Sequence, residues 1–136
     1  MSEPGLPSTD FARWADPLVG DVIQSCYRGL SEEHRDVQFL IRCQGMLWRA
    51  LIMGTGSVST FHREVIRTAM RLGLGENQIE DVNRQVITEL MLVITSRHAR
   101  SPRHAAELCV QVAQAYRRLA EVTQAQHQVQ HQAQHA

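Results

Sequence analysis

Apolar residues recur along this chain at helical spacing almost from end to end, with no sustained alternation of the kind that marks a half-buried strand. Leu18, Val19, Val22, Ile23, Cys26, Tyr27 and Leu30 predict a first helix from about Asp16 to Leu30. Ser31, followed by Glu32 and Glu33, suits the start of a second, because acids near an amino end complement the helix dipole. Its stripe runs Val37, Leu40, Ile41, Leu47, Trp48, Leu51 and Ile52 and stops at Gly54-Thr55-Gly56. Ser59 or Thr60 is expected to cap a third helix carrying Phe61, Val65, Ile66, Ala69 and Leu72, with Gly73 at its carboxyl end. Asn77-x-x-Glu80 predicts the opening of a fourth, with Ile79, Val82, Val86, Ile87, Leu90, Val93 and Ile94 on its apolar side. Ser101-Pro102 marks a fifth start, a capping side chain followed by proline at the first helical position. Ala105, Leu108, Cys109, Val112, Tyr116 and Leu119 continue that helix. The pattern predicts an all-α bundle of about five main helices over residues 16–123, a flexible lead at 1–15 and a disordered Gln/His-rich tail at 124–136.

Composition narrows the function classes. The chain has 136 residues, 43% of them apolar, and 14 basic residues balanced by 14 acidic ones. One domain with a real core is expected, and a nucleic-acid binder, which carries a basic excess, is not. No segment has the apolar length of a membrane span. The stretch from Met1 to Ala15 holds Glu3 and Asp10 and no apolar run, so no secretory signal is expected. Cys26, Cys43 and Cys109 lie in apolar helical contexts, and free thiols in the cytoplasm are the simple expectation.

Chemistry-bearing patterns are few. His127, His131 and His135 stand four apart, the spacing at which imidazoles on one helix face share a metal ion; adventitious binding by a polar tail is the weightier reading. Arg97, His98, Arg100, Arg103 and His104 straddle the turn between the last two helices, where cations already suit a helix end. A Gly-rich phosphate loop and a nucleophile elbow are both missing from the sequence, so an enzyme is not expected.

One run carries a family likeness. Ala69-Met70-Arg71-Leu72-Gly73-Leu74, taken with Gln44, Trp48, Leu51 and Gly54, resembles the sensor globins, the globin-coupled oxygen sensors and protoglobins. Trp14-Ala15-Asp16-Pro17 and Cys26-Tyr27-Arg28 resemble that family's early helix. The resemblance implies a globin-like bundle and a stand-alone sensing module that pairs as a homodimer through residues 79–119. It also implies a haem-type pocket, for which His62, Tyr27, Trp48 and Ala69 are the lining candidates. Three departures qualify it. Ala69 stands where the family places the iron-binding histidine, Leu47 replaces a second histidine, and the stretch from Tyr27 to Gln44 is shorter by about two turns. A pocket filled by side chains is therefore expected over one filled by haem. His62, on the same face seven residues before Ala69, is the displaced-ligand candidate. The rival readings are a purely helical interaction or regulatory subunit and, behind it, a metal-handling protein using the tail.

Overall fold

A computed structural model of the chain describes residues 9–30, 34–54, 57–98 and 100–135, and the architecture is all-α. Five helices follow one another: α1 (Thr9–Cys26), α2 (Arg35–Met53), α3 (Val58–Arg71), α4 (Glu76–Val93) and α5 (Pro102–His135), with a π-helical turn at Ile94–His98 closing α4. No strand occurs among the described residues. None of their helices is long and apolar enough to cross a membrane.

Helix α1 starts earlier than its sequence suggests. The start expected at about Asp16 is passed: the helix runs through Pro17 from Thr9. The reason is packing: Phe11, at 1% exposure, falls on the same stripe as Ala15, Val19 and Ile23, so the preceding turns have a face to bury. The Phe11 ring meets Trp14 edge-on at 5.2 Å between centroids. Residues 9–15 thus belong to the bundle and not to a lead.

The helix starts show which capping chemistry operates. Ser31, Glu32 and Glu33 lie outside the described residues; α2 is capped by the His34 ring, whose Nδ1 accepts the Asp36 amide at 3.1 Å. Ser57, not Ser59 or Thr60, holds the cap position of α3. Helix α4 opens at Gly75, where the Gln78 side chain accepts the Gly75 amide at 2.8 Å, and the expected Asn77–Glu80 pair is not used. The Ser101-Pro102 reading holds: Ser101 Oγ accepts the His104 amide at 3.1 Å.

Helix α3 ends at Gly73, as its sequence predicts. Gly73 takes a left-handed φ of 74°. The Leu74 amide donates to Ala69 O at 2.9 Å and the Gly73 amide to Met70 O at 3.1 Å. Those two bonds are the Schellman termination, in which glycine reaches the αL region without a Cβ penalty. Leu72 and Leu74 pack against the core beside it. Met70, within the same run, stands at the surface.

Helix α1 packs on both α2 and α4, and α5 lies across α2, α3, α4 and the π turn. Trp48, Ile23, Leu40, Leu47, Val65, Val86, Leu90, Ile94 and Val112 are almost wholly buried, each contributing about 1.5–3 kcal/mol of apolar transfer. Arg118 on α5 donates to Leu51 O at 3.1 Å, satisfying one of the carbonyls that the end of α2 leaves open. The ion pair Arg49–Asp16, 2.7 Å, joins α2 to α1 at the surface, where such pairs add at most about 1 kcal/mol. Beyond Leu119, α5 continues as one helix to His135, and Thr123, Gln126 and His127 hold its next two turns to α3 and α4.

Candidate functional site

Two polar clusters interrupt the apolar interior, and between them they hold three of the four pocket candidates. The first lies wholly inside. Tyr27, just past the end of α1, donates its hydroxyl to Gln44 Oε1 at 2.5 Å. Gln44 Nε2 donates to Asn83 Oδ1 at 2.9 Å, and Trp48 Nε1 donates to the same oxygen at 2.9 Å. Gln44 and Trp48 sit one turn apart on α2, so both reach across to the single amide that α4 presents. Indole N–H is only a donor, so the Asn83 oxygen must face it and the Asn83 amide nitrogen must face away. Burial pushes the Tyr27 hydroxyl far above its ordinary pKa, which keeps it a donor throughout the physiological range.

The second cluster ties the far half of α5 to α3 and α4. His62, 4% exposed, lies near the start of α3 with both ring nitrogens engaged by α5. Its Nδ1 meets Gln126 Oε1 at 2.8 Å and its Nε2 meets Thr123 Oγ1 at 3.1 Å. Gln126 Nε2 donates to Ser59 O, which fixes the amide orientation and makes His62 Nδ1 the donor. Thr123 Oγ1 also lies 2.9 Å from Leu119 O. With a neutral ring the hydroxyl donates to Nε2; with a protonated ring it accepts from Nε2–H and turns its own proton to Leu119 O. Neither state leaves an orphaned group. Burial lowers the His62 pKa, opposed by the Gln126 bond and the nearby Glu76 carboxylate and assisted by His127. At the edge of this cluster His127 Nε2 lies 2.9 Å from Glu76 Oε2.

The clusters meet at Asn83. A narrow crevice touches His62, Thr123, Gln126 and Asn83. A wider groove of about 340 Å³ opens between α4 and α5, with Asn83 on its floor and Glu80, Arg84, Tyr116, Leu119 and His127 around it.

Each of the four pocket candidates read from the sequence therefore has a definite place. Tyr27 and Trp48 are joined through Gln44 and Asn83. His62 is held apart from them on the α3–α5 side. Ala69 is a core residue whose carbonyl accepts the Leu74 amide in the helix cap. Ala69 has no ligating atom, both His62 nitrogens are hydrogen-bonded, and the Tyr27 and Trp48 donors are satisfied within the protein. His127, the first of the three tail histidines, pairs with Glu76, and the side chains of His131 and His135 lie outside the described residues. Among the described residues no group of three His, Cys, Asp or Glu side chains is placed to hold a metal. In the basic cluster, Arg103 reaches Glu107 at 3.8 Å and His104 Nδ1 accepts the Arg100 amide at 3.0 Å. The three cysteines are free thiols, and burial raises Cys26 and Cys43 above the ordinary thiol range.

Sequence reading missed Asn83, Thr123, Gln126 and Glu76. Asn83 left a signal: it stands four residues after Ile79 and three before Val86, a lone amide on an apolar stripe. The other three contribute only through long-range pairing, which helical periodicity does not encode. Compared with protein-family models, curated proteins and solved structures, the chain matches none.

Proposed function

We propose that this chain is a non-catalytic helical signalling module of the sensor-globin kind, working without iron in a reducing compartment such as the cytoplasm and pairing with a second copy through residues 79–119. The observation that carries this reading is a contrast between interior and surface. The polar groups that a haem-type ligand would use are engaged inside the protein, whereas α4 and α5 leave Leu92 and Val110 exposed at 57% and 53%. Large exposed apolar side chains on two helices that pack together suit a helix-pair interface, in which two copies build a four-helix contact. The free thiols are in keeping with a reducing compartment.

Light scattering on the purified chain tests the pairing. The wild type is expected at twice the monomer mass, and Leu92→Glu combined with Val110→Glu is expected at monomer mass with its helical circular dichroism retained. A monomeric wild type at tens of micromolar would remove the dimer from this reading. An absorption spectrum of protein from haem-supplemented cells tests the iron-free clause. No stoichiometric Soret band is expected; a band present in the wild type and lost in His62→Ala would install haem sensing in its place.

A further inference from the structure

The groove between α4 and α5 holds donors and acceptors that the protein does not use for itself. Its floor is Asn83, only 6% exposed, and the orientation of that amide is settled: Oδ1 points inward to Gln44 and Trp48. The remaining half of the amide, two N–H donors on Nδ2, has no acceptor among the described residues, and it is not shut away from the groove that Asn83 lines. One turn earlier on the same face, Glu80 brings a carboxylate to the groove wall, with no ion-pair or hydrogen-bond partner among the described residues. Donor and acceptor thus line one groove. The opposite wall is supplied by α5: the Tyr116 ring, Leu119 and Ala120. The other charges at the rim are already matched, Arg84 with Asp81 at 2.6 Å and His127 with Glu76.

The geometry points to a binding site for a small, neutral, planar lactam, a ring carrying adjacent C=O and N–H groups. The ring carbonyl accepts from Asn83 Nδ2, the ring N–H donates to the Glu80 carboxylate, and the flat body lies against Tyr116, Leu119 and Ala120. A volume of about 340 Å³ falls at the low end of small-molecule sites, which suits one or two fused rings. A free anion is disfavoured by Glu80, and the Asn83 N–H pair calls for an acceptor that a bare cation lacks, so the two groups together suit an edge carrying both C=O and N–H. The groove overlaps the 79–119 segment proposed for pairing, with Glu80 twelve residues or about 18 Å along α4 from the Leu92 contact.

Because Asn83 Oδ1 is shared with the buried indole, occupancy of the groove is reported inside the protein. The test titrates the ¹⁵N-labelled chain with uracil, hypoxanthine and 2-quinolinone, with quinoline as the ring lacking both the carbonyl and the N–H. At least one lactam is expected to shift the Trp48 indole N–H and the Asn83 side-chain amide together and saturably, and quinoline is not. Glu80→Gln, a change at an exposed position that leaves the core intact, is expected to weaken that binding about tenfold or more by removing the charge-assisted bond. Ala120→Arg, which fills the groove from an exposed position on α5, is expected to abolish it. The site is overturned if none of the three lactams gives a saturable shift at millimolar concentration. It is equally overturned by quinoline binding as well as the lactams, or by affinity unchanged in both variants.

Discussion

The two polar clusters of this bundle solve the same problem in opposite ways. Tyr27, Gln44, Trp48 and Asn83 form a network closed at every inward-facing atom, built from groups that do not change charge near neutral pH. His62, Thr123, Gln126, Glu76 and His127 form one that contains titratable groups and a hydroxyl able to turn between two partners. The first joins α2 to α4 through the middle of the core, where an unpaired donor has no access to water. The second sits where α5 leaves the core, with His127 and Glu76 half in solvent. The difference teaches where rigidity and responsiveness lie: the centre has one arrangement, while the α5 side keeps two.

The comparison breaks most severely at Asn83. Asn83→Leu strands the buried Gln44 amide and the Trp48 indole together, and about 3–5 kcal/mol of unfolding free energy is expected to be lost in urea titration. A loss under 1 kcal/mol would mean that the interior network relaxes and is not the rigid half of the pair. Tyr27→Phe removes one donor and leaves Gln44 Oε1 unpaired, with an expected loss of about 1–3 kcal/mol by the same measurement. Its effect should not vary between about pH 5 and pH 8, because nothing in that network titrates there.

The smallest effect sharpens the contrast by its pH dependence. The folded pKa of His62 lies below its unfolded value of about 6.5, chiefly through burial. On acidification the unfolded chain takes up the proton first, so stability is full above that value and falls as pH drops toward the folded pKa. Thr123 and Gln126 face the ring from α5, with Glu76 and His127 as the charges nearby, and none of them reverses the direction. Melting temperature is expected to decline from about pH 7 to pH 5 in the wild type and to decline less in His62→Gln. Equal slopes in the two proteins would show that the α5 side does not respond through His62.

Much of the bundle was legible because helix existence follows from apolar spacing, and all five stripes are present. Boundaries were less so. Helix α1 begins at Thr9 where apolar spacing placed its start near Asp16, and His34 and Gln78 supplied caps that Ser31 and Asn77 had suggested by type. The tail was misjudged for a related reason: its Gln/His composition offers little to bury, but Gln126 and His127 find specific partners on α3 and α4 that no local rule anticipates. The Arg71-Leu72-Gly73-Leu74 step that carries the family likeness has a local physical cause as well, since it is the capping sequence of α3. Any helix ended by this device favours glycine followed by an apolar residue, so the step alone discriminates poorly.

Helix α5 has a mechanical consequence. At 34 residues it is about 50 Å long, against about 27 Å for α4. Leu108, Val112, Ala115 and Leu119 seat its first half in the core. Thr123 and Gln126 therefore stand about 30 Å or more along one continuous helix from its Pro102 end, so their bonds and the packing beside the π turn belong to a single rigid element.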